Sequence, residues 1–187
     1  MKGILRNNRA LSTVVTSLII LVVSVLLAGV VTMYAVNITS TRTQQEQLKL
    51  TKQEVWVYGN GTAFAALSIV NVGGRDVVVD KVQVRGVEST WATVHYIRAS
   101  SAPATSLNCP NSTHNWGGKF LYTTATTATF STASTDLPLQ SGDSLIVYIS
   151  TPDSINANDV GLTISMTVFT ENAQYYVECN AKAAESA

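Results

Sequence analysis

The feature that most constrains this chain is a run of 31 residues, Leu11 to Thr41, without a single charged side chain. Its apolar heart, VVTSLIILVVSVLLAGVVTMYAV, runs from Val14 to Val36. At about 1.5 Å per helical residue it spans roughly 34 Å, against a bilayer hydrocarbon core of ~30 Å. A secretory signal has a shorter apolar region, about 7–15 residues, followed by a small-residue cut site. This run is longer, although VLLAGV would admit a cut near Ala28. Ahead of the run, Lys2, Arg6 and Arg9 are the only charges in residues 1–10. Basic flanks stay in the cytoplasm, so the remainder of the chain is expected outside the cell. The formal net charge of zero hides this asymmetry, because residues 11–187 carry nine bases against twelve acids. That balance argues against a basic surface for nucleic acid, and no nucleic-acid partner is expected.

Small residues mark one side of the run. Thr13, Ser17, Ser24, Ala28, Thr32 and Ala35 fall within roughly a 100° arc when successive residues turn by about 100°. Such a stripe lets helix backbones approach closely where lipid supplies no hydrophobic drive to associate. Beyond it, NITSTRTQQEQLKLTKQE, Asn37 to Glu54, contains neither Gly nor Pro and is rich in Gln, Glu, Lys and Leu. These are helix-compatible residues, so the helix is expected to continue to about Lys52 as a polar stem.

From Glu54 onward the apolar period falls to two. LTISMTVF alternates Leu162, Ile164, Met166 and Val168 with hydroxyl residues. SLIVYIS, DVVVDKVQV, FAALSIVNV, WATVHYI, KFLYTT and AQYYVEC also read as strands, separated by turn signals such as YGNGT, NVGGRD, QSGDS and TPDSINAND. Seven to nine short strands suggest an antiparallel β-sandwich, compatible with an immunoglobulin-like one. Residues 100–135 are rich in Thr, Ser and Ala and read as an excursion or variable face. The fold class is therefore α+β.

The junction Arg9-Ala10 followed by Leu11-Ser12 resembles the class III signal peptide of archaeal type IV pilins and their relatives. The continuation STVVTSLIILVVSVLLAGVV is similar to their N-terminal helix, and the likeness covers about 40 of the 187 residues. The resemblance implies a leader, residues 1–10, removed by a prepilin peptidase between Ala10 and Leu11. It implies a helix, residues 11–53, that spans the membrane in the precursor and forms a filament core afterwards. Residues 54–187 would be the extracellular β-domain. Val15 stands where the bacterial branch carries Glu, and the Gly-rich opening of the related archaellins is missing, which points to the archaeal pilin branch. The implied partners are further copies of this chain in a helical filament, the peptidase and its assembly machinery, and the membrane before assembly. Adhesion, cell contact or motility would be the use. The alternatives are a single-pass, membrane-anchored β-domain that binds a ligand, or a minor, pseudopilin-like subunit of a secretion or uptake system.

Little else carries chemistry. Cys109 and Cys179 would both face an oxidising exterior, and a disulfide closing about 70 residues would stabilise by roughly 4 kcal/mol on the chain-entropy view. Free thiols and an intermolecular bond are the other options. Three sequons, at Asn60, Asn111 and Asn37, match N-x-[ST]; Asn37 abuts the apolar run and ranks last. His95 and His114 belong to no motif. CPNSTH together with Cys179 lacks zinc spacing, and DSINAND does not follow a calcium-loop pattern. With no nucleophile–base pair evident, neither an enzyme nor a cofactor is expected, and no metal.

Overall fold

A computed structural model describes residues 8–184, with helical side chains described from Ser12 to Thr41. The chain divides into two units, one ending at Thr43 and one beginning at Gln44. The first contains a single helix, α1, Asn8–Thr43.

The second unit contains β1 (Leu48–Val57), β2 (Ala63–Asn71), β3 (Val77–Val84), β4 (Val87–Glu88), β5 (Val94–Ala99), β6 (Lys119–Leu121), β7 (Thr127–Thr129), β8 (Ser131–Thr132), β9 (Leu137–Leu139), β10 (Ser144–Ser150), β11 (Thr163–Thr170) and β12 (Gln174–Ala183). Ten of them form one sheet in the order β4-β3-β11-β12-β1-β2-β10-β5-β8, with β9 also paired to β3. Every pairing in it is antiparallel except β1 with β12. The remaining two, β6 and β7, pair with each other as a separate hairpin.

The α+β class and the antiparallel β-domain are as the sequence indicates, with one difference in the sheet. A single curled sheet takes the place of two separate ones. Its two halves close on one core: Val55, Leu67 and Val147 from β1, β2 and β10 share a cluster with Val79, Met166 and Val168 from β3 and β11. Alternation supplies this face, since β11 buries Ile164, Met166 and Val168 in turn.

A second apolar layer lies on the other face of β1, β2 and β10. There Trp56, Phe64, Ile146 and Tyr148 meet Leu107, Phe120, Tyr122 and Phe130 from the excursion. Strands β2 and β10 are thus covered on both faces, which is why FAALSIV and SLIVYI read as nearly continuous apolar runs. Leu107, Phe120, Tyr122 and Phe130 of the supposed variable face are therefore core.

The polar stem is corrected. Helix α1 stops at Thr43, and residues 48–57, assigned from sequence to the helix as far as 53, form β1. Helix propensity is a weak prior, and here tertiary pairing overrides it. Leu48 and Leu50 face the core, as do Val55 and Val57, so the inward phase changes from even to odd positions. A bulge between Thr51 and Glu54, with Lys52 at φ 56°, makes that change. Residues 45–47 are then tied to the β-domain, Gln47 O accepting from Val72 N and Gly73 N. Gly73 is required at this seam, because a Cβ there would lie 2.6 Å from Gln45 O and Gln47 N.

Candidate assembly helix and processing junction

Within α1, Ser12–Thr41 is a 30-residue stretch long and apolar enough to cross a membrane. Every described side chain in it is exposed, including Leu26 at 65% and Met33 at 71%. Apolar side chains surround the helix, so it has no polar face to turn toward water. A helix of that kind needs lipid or other helices around it. The small-residue stripe of Thr13, Ser17, Ser24, Ala28, Thr32 and Ala35 lies along it, and its hydroxyls turn back on the helix. Ser17 Oγ donates to Val14 O at 2.9 Å, Ser24 Oγ to Ile20 O at 2.7 Å and Thr32 Oγ1 to Ala28 O at 2.7 Å. Backbone carbonyls therefore satisfy these hydroxyls without any partner helix, so the stripe can sit in hydrocarbon or against another helix at little polar cost.

Ala10 and Leu11 lie in the first turn of α1, after Asn8 and Arg9. The first four N–H groups of a helix have no intrahelical acceptor, so this peptide bond can be opened at small cost in hydrogen bonds. The side chains of Arg9, Ala10 and Leu11 are outside the described residues, as are Lys2 and Arg6 altogether.

Among the sequons, Asn60 is exposed in the β1–β2 turn and its Oδ1 accepts from Thr62 N at 2.9 Å. Asn111 is also exposed, in the loop after Pro110. The two turns approach each other: Asn60 and Ser112 line one cleft with Tyr58, and Tyr58 Oη donates to Pro110 O. Asn37 is helical, with its carbonyl accepting from Thr41 Oγ1 at 2.9 Å.

The expected disulfide is not formed; Cys109 and Cys179 are both free. Cys179 packs on the shared inner core, whereas Cys109 packs in the outer layer. The sheet separates the two layers, so these thiols cannot meet without unfolding it. Burial raises the Cys109 thiol above its ordinary range, partly offset by its hydrogen bond with Tyr58. Burial and then Glu54 push Cys179 up to about 11. Both are protonated at neutral pH and poorly nucleophilic.

The acids of DSINAND serve a turn. Asn156 caps the 3-10 turn Ala157–Asp159, and Asp159 Oδ2 accepts in return from Asn156 N at 2.8 Å while the carboxylate pairs with Arg85 at 3.0 Å. The Asn156 N–H, ahead of Arg85, holds the Asp159 carboxyl below its usual range against an opposing burial effect. Its contribution is present above the unfolded carboxylate range and is lost as pH falls through the folded value. In NVGGRD, Asn71 donates to Arg75 O at 2.8 Å and accepts from Gly73 N at 3.0 Å, which makes it a turn lock. Among the described residues, no group of three or more His, Cys, Asp or Glu is placed to hold a metal ion.

Sequence reasoning missed the outer aromatic layer. His95 and Trp116 stack there, 4.3 Å between centroids and 11° between planes, and His114 meets the edge of the same indole at 4.8 Å. Aromatic residues two to four apart in HNWGGKFLY were its only trace in the sequence.

No protein-family model matches the chain, and no curated protein matches it.

Proposed function

We propose that the chain is the structural subunit of an archaeal type IV pilus-like surface filament, cut between Ala10 and Leu11. The observation that carries this reading is the 30-residue helix, apolar all round and exposed along its whole length, on a chain whose β-domain closes its own cores. While the leader is attached, moving the helix out of its membrane position drags three basic residues toward hydrocarbon. Each costs roughly 2.5–3.5 kcal/mol at the helix centre on insertion scales. Removing the leader leaves an apolar end that can leave lipid and pack against copies of itself along the small-residue stripe. The energy for extraction comes from assembly machinery. The precursor resides in the cell membrane with its N-terminus cytoplasmic, and the product is an extracellular filament used for adhesion, contact or motility. Asn60 and Asn111 are the acceptors for N-linked glycan on this reading, and helical Asn37 is not; peptide masses decide the point.

Span length equally supports a second reading, a single-pass anchor for a ligand-binding β-domain. Ala10→Asp separates the two. Under the filament reading it blocks the cut, leaves full-length precursor in membranes and empties the shear-released fraction. Normal filaments from that variant would refute the assigned junction.

A further inference from the structure

We propose that the loop carrying His114 and Trp116 is an acid-released cap on the β-domain: protonation of the two histidines flanking the Trp116 ring frees the loop while the curled sheet beneath stays folded. This inference is independent of whether the chain assembles.

Trp116 fastens its own loop to the sheet. Its ring meets Phe64 of β2 and Tyr148 of β10 as well as Phe120 and Phe130 of the excursion itself. His95 lies beneath it, 6% exposed on β5, and His114 beside it on the loop. The hydrogen bonds define neutral His95. Ser150 Oγ donates to Thr93 O at 3.2 Å, so it accepts from His95 Nε2–H at 3.3 Å. Nδ1 is then the acceptor for the Thr132 hydroxyl at 3.1 Å. Both ring nitrogens are satisfied in that tautomer; a proton added at Nδ1 turns the Thr132 hydroxyl into an acceptor and puts a charge on a buried ring that no carboxylate pairs among the described residues. His114 Nε2 is buried without a protein partner among the described residues, so a proton there has no acceptor.

Among the described residues, no carboxylate pairs with either histidine. The titratable groups in this layer are Glu54 of β1, Tyr58 just after it, Tyr148 of β10, and Cys109 and Tyr122 of the excursion; Glu54 is committed to Lys182 at 2.6 Å. Lys52 reaches the excursion at Ala104 O, and Lys119 is exposed at the start of β6. On β5 itself, Arg98 engages Tyr96 and Pro138 O. Burial, then repulsion from His114, lowers His95 to about 4, and burial lowers His114. Groups whose folded values are lowered contribute stability above the unfolded value, about 6.5, that is lost as pH falls through the folded values. The window is therefore about pH 6.5 down to about pH 4. The inner core, built without His or Trp116, does not take part.

The full chain in detergent micelles tests this. Near-UV circular dichroism and acrylamide quenching of tryptophan are followed from pH 7.5 to pH 4, with far-UV dichroism as the measure of the sheet. The expected result is loss of at least about half of the near-UV band and an increase in quenching within that window, with the far-UV signal unchanged. His95→Gln with His114→Gln should flatten the change. If that variant does not fold, imidazole proton shifts of the wild-type chain decide: both histidines should titrate below about 6.5. Titration of both at or above 6.5 would overturn the inference. So would a near-UV band that strengthens in acid, the signature of an imidazolium held on the indole face, or a far-UV loss coincident with the near-UV one.

Discussion

Tyr148→Ala is expected to destabilise the β-domain by about 3–5 kcal/mol, the range for removing a fully buried aromatic side chain. Tyr148 is fully buried, and its ring lies at the centre of the outer layer. It stacks on Trp56 and makes edge contacts with Phe120 and Phe130, at 5.4 and 5.2 Å. Its hydroxyl donates to Asn108 O at 3.0 Å, which ties the excursion to β10. Tyr148→Phe keeps the ring and loses only the hydroxyl's bond to Asn108 O and its longer one to Tyr122 O, for about 1 kcal/mol. Denaturant unfolding of the full chain in detergent, monitored in the far UV, checks both. Similar losses from the two variants would mean that the hydroxyl, not the ring packing, holds the layer.

The second large effect concerns assembly. Ala28→Ile places a branched side chain in the middle of the small-residue stripe. Val30→Leu, a smaller enlargement of one carbon, lies about 160° away around the helix and serves as the control. Neither alters charge or span, so both proteins should reach the membrane and be processed. On the filament reading, only the first would keep neighbouring helices apart. Each 1.4 kcal/mol lost per subunit lowers an association constant about tenfold. Because helix contacts in lipid are worth about 1–2 kcal/mol, Ala28→Ile should cut filament yield by roughly an order of magnitude. Shear-released protein, compared with membrane-retained protein, measures this. Equal yields from both variants would show that this face does not contact neighbours.

The sequence revealed some of this structure directly and concealed other parts for identifiable reasons. Strands β3 and β11 were legible because each buries one face, and alternation records that. Strand β1 was concealed because its bulge at Lys52 and Gln53 breaks the alternation halfway, leaving Gln, Glu and Lys to imitate a helical stem. The outer aromatic layer was concealed because β2 and β10 bury both faces, while its cover is a Thr-rich segment that reads as loop. Cysteine arithmetic failed for a related reason: a pairing argument assumes two thiols on one side of a sheet, and these occupy opposite sides. The apolar helix was plain from composition alone, since a charge-free run of that length permits few fates. The proposed junction at Ala10–Leu11 rests on a local pattern alone, because a site read by another enzyme would need no tertiary partners within the chain.

The most direct test of the filament account is the N-terminal residue of the chain in material sheared from the cell surface. The account predicts a single sequence beginning Leu11-Ser12-Thr13, in a fraction that sediments as polymer. A chain that retains Met1 and remains wholly with the membranes would contradict it.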